Sequence, residues 1–205
     1  GPQGRTRGIK LANLFRVSVA NVDAIRDLPP LPDTAKELLA LSAAVNGDSK
    51  HIYMRKRATE RTVKKTNLSN SRIITFATHG LVAGDMKNAE PAWVLTPPAK
   101  GTTLDDGLLT ASEVAHLKLN ADLVILSGYT GVGKTALLQD LQAEGEQVID
   151  LESLACHRGS AFGGIGQPPQ PTVEQFENEL FESWRLLDPG QPVWLEDESQ
   201  SIGRV

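Results

Sequence analysis

The sequence has little with which to brace a fold covalently. Its 205 residues include one cysteine, Cys156, so no internal disulfide can form, and no Cys or His cluster has the spacing of a zinc site. Cys156 itself reads as a passive thiol. Aromatic residues are scarce at 5% against 40% hydrophobic residues in all, so packing must come mainly from aliphatic side chains, enough for one ordinary domain or two small ones. No apolar run approaches the roughly 18 residues that span a bilayer, and the opening GPQGRTRGIK lacks the apolar core of a secretory signal. A soluble, cytoplasmic protein with no membrane partner is expected. Positive charge is not in surplus either. The formal net charge is -4, which argues weakly against a surface that grips nucleic acid everywhere and leaves room for a local basic patch. One lies between Lys50 and Lys65, where Arg55, Lys56, Arg57, Arg61, Lys64 and Lys65 gather. It reads as the solvated face of a helix or as a site for a polyanion.

What the chain does have is alternation of helix and strand signals. Residues 1–27 form a lead-in that opens on Gly-Pro without an initiator Met, as a processed, tagged or excised segment would. Asp33 can cap a helix running to Ala44, with Ala35, Leu38, Leu39 and Leu41 on a broad apolar face. A second helix is expected over Ala58–Lys65, then strands at Arg72–Ala77 and Ala92–Thr96. Thr110 and Glu113 form a capping box for a helix to Leu117. From Ala121 the order becomes strand Leu123–Leu126, glycine-rich turn, helix Lys134–Ala143, strand Gln147–Ile149. Thr172 and Gln175 signal another helix, in which Phe176, Leu180, Trp184 and Leu187 share one expected buried face, and Val193–Leu195 reads as a last strand. The fold class is therefore α/β, a mainly parallel sheet flanked by helices.

The segment from Gly128 to Thr135, GYTGVGKT, fits the G-x-x-x-x-G-K-[ST] pattern between a hydrophobic strand and a helix. Gly128, Gly131 and Gly133 would let backbone N–H groups turn toward phosphate oxygens, and the helix N-terminus would add its dipole. Lys134 supplies a charge for outer phosphates and Thr135 a ligand for magnesium, so ATP or GTP with Mg²⁺ is the expected cofactor. Such a site needs an acid at the end of a neighbouring strand. Asp150 with Glu152 is one candidate and Glu196 to Glu198 the other; the Val-Trp-Leu-Glu-Asp order favours Glu196 or Asp197. His157, Arg158 and Ser160 join a cation, a hydroxyl and flexible backbone, a mixture suited to a further anion or to an ordinary loop.

Together with GYTGVGKT, the runs DLESLACHRGSAFGGIGQPPQP, EQFENEL and EDESQSIGRV resemble the C-terminal P-loop domain of bacterial tRNA 2-selenouridine synthase. That family exchanges sulfur for selenium at the wobble uridine of tRNA with selenophosphate, behind an N-terminal rhodanese domain bearing the essential cysteine. The resemblance implies a tRNA-modifying transferase, tRNA or phosphate contacts at Lys134, His157 and Arg158, and a partial P-loop domain over 121–205. No rhodanese signature precedes residue 120, so the sulfur- and selenium-transfer half is not expected in this sequence.

Residues 28–120 carry different motifs: LPPLPDTAKELLAL, ATERTVKKTNLSNSRIITFATHGLVAGDM, AEPAWVLTPP and DDGLLTASEVAHLKLNADLVILS. These resemble the CHAT domain, a caspase-like peptidase fold, and extend to residue 127. In that family the His of ATHG, here His79, pairs with a Cys just after the strand matching Leu123–Leu126. Here that place reads Ser127-Gly128-Tyr129-Thr130. The resemblance therefore implies a CHAT-like segment with His79 as a relic, no cysteine peptidase activity, and a protein-binding module as the alternative function. A fusion with no evolved activity is a third reading. The two resemblances meet in ADLVILSG, a strand that both possess and that would allow one continuous sheet.

Overall fold

The computed structural model describes residues 15–16, 19–31, 34–81, 90–127, 134–158 and 163–196. In chain order the described elements are β1 (Phe15–Arg16), β2 (Val19–Ala20), α1 (Val22–Arg26), α2 (Thr34–Ala44), α3 (Glu60–Lys65), β3 (Ile73–Ala77), β4 (Gly80–Leu81), β5 (Ala92–Val94), β6 (Leu108–Thr110), α4 (Ala111–Ala115), β7 (Leu123–Ser127), α5 (Lys134–Ala143), β8 (Gln147–Ile149), α6 (Leu151–Leu154), α7 (Val173–Arg185) and β9 (Val193–Glu196), with short 3-10 turns at Ser49–His51, Arg55–Arg57 and Leu68–Asn70.

The central sheet is parallel, in the order β3-β7-β9-β8. Strand β7, the LVILS run, pairs on one side with β3 from the first half and on the other with β9 from the second. It is rich in aliphatic side chains because, as a central parallel strand, it is covered on both faces. The expected continuous sheet is what the chain forms. A second sheet, β4-β5-β6, is antiparallel. The lead-in joins it: Ala20 and Ile25 bury against Leu81, Ala92, Val94 and Leu108, and the Ala20 amide donates to Asp106 at 2.7 Å.

One face of the central sheet makes the main core. Ile74, Val124, Leu126 and Trp194 meet Leu137, Leu138 and Leu141 of α5, together with Trp93 and Val114. Trp93 stacks on Phe76 at 4.2 Å and lies 6.1 Å from Trp194, so the scarce rings concentrate where the two halves join. Their burial, at about 25 cal/mol per Å² of apolar surface, is what holds the halves together.

Two amphipathic helices depart from expectation. Helix α2 forms from Thr34, but none of its residues is buried. It lies over the other sheet face above a cavity of about 150 Å³ lined by Leu38, Leu41, Thr75, Ile125 and Leu195. Its expected cap, Asp33, lies outside the described residues. Helix α7 is capped by Thr172, whose hydroxyl accepts from the Gln175 amide, yet its apolar stripe is not buried. Phe176, Leu180 and Leu187 are half-buried and Trp184 is 50% exposed. The helix packs against α6, and a single turn of four residues is too short to cover a thirteen-residue face.

Candidate functional site

The C-terminal ends of parallel strands leave a crevice beside the following helix N-termini, where α/β proteins gather their ligand chemistry. Here β7 leads into residues 128–133 and then α5, which begins at Lys134. Gly128, Gly131 and Gly133 lie outside the described residues, as do Ser160, Asp197 and Glu198. Lys134 and Thr135 are described, and so is the acid they meet.

Lys134 Nζ and Glu196 Oε1 are 3.2 Å apart, with side chains only 2% and 3% exposed. Glu196 ends β9, the strand hydrogen-bonded to β7, so sheet register sets the acid next to the lysine that opens α5. The half-buried Thr135 Oγ1 shares its one proton between Glu196 at 3.2 Å and Glu152 at 3.4 Å. A hydroxyl between two carboxylates is a set of hard oxygen donors, fitted to a magnesium ion, and the buried lysine is fitted to phosphate oxygens. Burial raises the Glu152 carboxyl above its ordinary pKa, and the neighbouring charges of Glu196 and Asp150 raise it further.

The two candidate acids of the β8 end thus part company. Asp150 caps α6, accepting from the Ser153 amide at 2.8 Å, while Glu152, two residues on, reaches Thr135. The cap signal D-x-x-S marks Asp150 in the sequence; Glu152's reach depends on where α6 points.

His157 is 3% exposed and Arg158 is exposed. The Arg158 guanidinium forks onto Gln167, whose amide oxygen, in the orientation that satisfies both groups, accepts from Nε at 2.9 Å and Nη2 at 3.1 Å. The Arg158 amide donates to the Gly163 carbonyl at 3.1 Å. A Cβ on Gly163 would sit 2.8 Å from both that amide nitrogen and the His157 Cε1, so a side chain here would force one of these groups to shift. Cys156 follows α6 with φ of 49°, a left-handed helix end that glycine more often occupies.

The other strand pair ends differently. His79 Nε2 donates to the Pro29 carbonyl at 2.8 Å, and the buried Ser127 hydroxyl donates to Glu37 at 2.9 Å. Both groups tie the sheet to the segment 29–37.

These features define an α/β protein with a lysine, a threonine and two acids collected at the ends of β7, β8 and β9. The CHAT domain family model matches residues 5–161, most of the chain, and the chain belongs to that family. The model for the tRNA 2-selenouridine synthase AAA domain matches residues 121–205, so the two overlap across β7, α5, β8 and α6. Among curated proteins, the tRNA 2-selenouridine synthase of Nitrosomonas europaea is 29% identical over 200 residues, 87% of this chain and 49% of that protein. That of Nitrosomonas eutropha is 46% identical over 89 residues, 42% and 22% respectively, and that of Bdellovibrio bacteriovorus 36% over 132 residues, 60% and 34%. The chain spans about half or less of the length of these relatives. No solved structure matches it. Relatedness to tRNA 2-selenouridine synthase is established by these matches.

Proposed function

We propose that the second half binds the phosphates of ATP or GTP with magnesium, and that the protein takes part in tRNA wobble-uridine modification in the cytoplasm. Gly128, Gly131 and Gly133 would cradle the phosphates, Lys134 neutralise them, and Thr135 with Glu196 hold the metal. The observation that carries the reading is the buried Lys134–Glu196 pair beside Thr135. A lysine with so little exposure is retained for an anion, because a buried ion pair contributes little net stability compared with apolar packing. Selenophosphate, the selenium donor implied by the family resemblance, is an anion of the same class.

Titrating the full chain with MgATP, MgGTP, selenophosphate and bulk tRNA tests this. The suitable control is Lys134→Met combined with Glu196→Gln, which removes both charges and leaves no orphan. Binding of MgATP, MgGTP or selenophosphate by the wild type and not by the double variant is expected, whereas tRNA should bind to both; silence toward all of these ligands would sink the proposal.

The first half supports a second reading, a protein-binding module without peptidase activity. The imidazole of His79 is engaged by the Pro29 carbonyl, which suits a structural tie. Capture of a protein partner that persists in the double variant would favour this reading.

A further inference from the structure

Between Lys50 and Lys65 seven Lys or Arg residues face a single acid, Glu60, in a chain of net charge -4. Three are neutralised at home. Lys50 pairs with Asp48 at 2.8 Å, Arg61 with Asp105 at 2.8 Å, and Lys64 with Glu60 and Glu113. Arg55, Lys56, Arg57 and Lys65 are exposed and have no carboxylate partner among the described residues.

The first three form one 3-10 turn, and that turn is held in a conformation the chain resists. Arg55 has φ of 52°, which a non-glycine residue adopts only at an energetic disadvantage. Its carbonyl accepts from the Ala58 amide and from the Thr96 hydroxyl, each at 2.8 Å, and the Thr96 amide donates to the Ala58 carbonyl at 2.8 Å. The Arg57 guanidinium lies 5.0 Å over the Tyr53 ring and donates to the Lys50 carbonyl at 3.1 Å. Three adjacent cations are thus fixed on one strained turn against their mutual repulsion.

We infer that this turn, Arg55-Lys56-Arg57, is a contact for the phosphate backbone of RNA, separate from the Lys134 site. The preceding Ile52, Tyr53 and Met54 are half-buried, so the turn offers charge and planar guanidinium groups with no apolar wedge for a lipid surface. Guanidinium forks match phosphate oxygens in pairs, and repeated phosphates suit a row of cations. The choice of RNA as the polymer rests on the function proposed above; the anion-binding chemistry of the turn does not.

The test is the affinity of the full chain for labelled bulk tRNA between low and moderate salt. Replacing Arg55, Lys56 and Arg57 together by Ala is expected to weaken binding at least about tenfold and to lower the log–log salt slope by about 2–3, near one released counterion per cation. The charge-conserving set Arg55→Lys, Lys56→Arg and Arg57→Lys should keep the slope. Arg55→Gly should raise the melting temperature while lowering tRNA affinity, whereas a turn of purely structural importance would give the first change without the second. Unchanged tRNA binding in the triple Ala variant overturns the inference, and so does a loss seen only with phosphatidylserine vesicles. The two proposals fail separately: the triple variant should still bind nucleotide, and the Lys134→Met, Glu196→Gln variant should keep its tRNA salt slope.

Discussion

Each half of the molecule pairs a buried glutamate with a lysine, exposed at Lys64 in the first half and buried at Lys134 in the second, and the two pairs are held differently. In the first half Glu60 accepts from the Asp106 and Gly107 amides at 2.7 and 3.0 Å as well as from Lys64 at 2.5 Å. Lys64 also reaches Glu113, whose other oxygen closes the capping box of α4. Burial raises the Glu60 pKa, with Lys64 and the two amides opposing that rise. For Lys64 burial works against the charge, yet its hydrogen bonds to Glu113 and Glu60 raise its pKa. Main-chain donors fix this pair as scaffold. In the second half Glu196 is engaged by the side chains of Lys134 and Thr135, with a second acid, Glu152, crowded against them. Side-chain partners can be exchanged for an incoming anion and its cation without breaking the backbone. The difference separates a pair that builds the fold from one that is available for chemistry.

The largest expected effect breaks the comparison at its lysines. Lys134→Ala should destabilise by about 3–5 kcal/mol, because it strands a buried carboxylate. Lys64→Ala should lose only about 1.5–3 kcal/mol, since two amides still serve Glu60. Denaturant titration of both variants would show the order, and equal losses would erase the distinction. A smaller effect is expected at the loop that carries His157 and Arg158. Gly163→Ala should destabilise by about 1–3 kcal/mol through the close approach to His157, and a neutral result would show that the loop can shift.

The smallest effect is a pH dependence at Glu152. Its pKa is raised in the folded protein, by burial first and then by Glu196 and Asp150, so the folded state binds this proton more tightly than the unfolded state does. Its contribution to stability therefore falls as pH rises from the ordinary carboxylate range through the folded value. Glu152→Gln should melt higher than the wild type at neutral pH, with the advantage vanishing in acid where Glu152 is protonated in both states. An advantage independent of pH would point to packing.

Much of this was legible in the sequence where a signal is local. Strands β3, β5, β7, β8 and β9 stand out as apolar runs, and the caps at Thr110 and Thr172 follow from their residue spacing. The role of ADLVILSG as a shared strand was readable because both flanking patterns demand a strand there. Other features depend on distance in space. The two-residue β4 is too short to carry a period, and the half-covered faces of α2 and α7 depend on what packs against them. Periodicity shows that a helix has an apolar side and cannot show that a neighbour covers it. Glu196 was found because a strand-end acid follows from the pattern, whereas Glu152's place beside Thr135 needed the direction of α6.

The central claim is that the two halves share one core, and that the ligand site sits in the second. Thermal unfolding of the full chain with and without MgATP or MgGTP, followed by both far-UV circular dichroism and tryptophan fluorescence, tests it most directly. With Trp93 and Trp194 in one core, the two signals should change in a single coincident transition. A nucleotide at about 100 times its Kd should add about 2.7 kcal/mol, moving both signals together in the wild type and neither in the Lys134→Met, Glu196→Gln variant. Two separate transitions, or a nucleotide shift that survives in the double variant, would contradict the account.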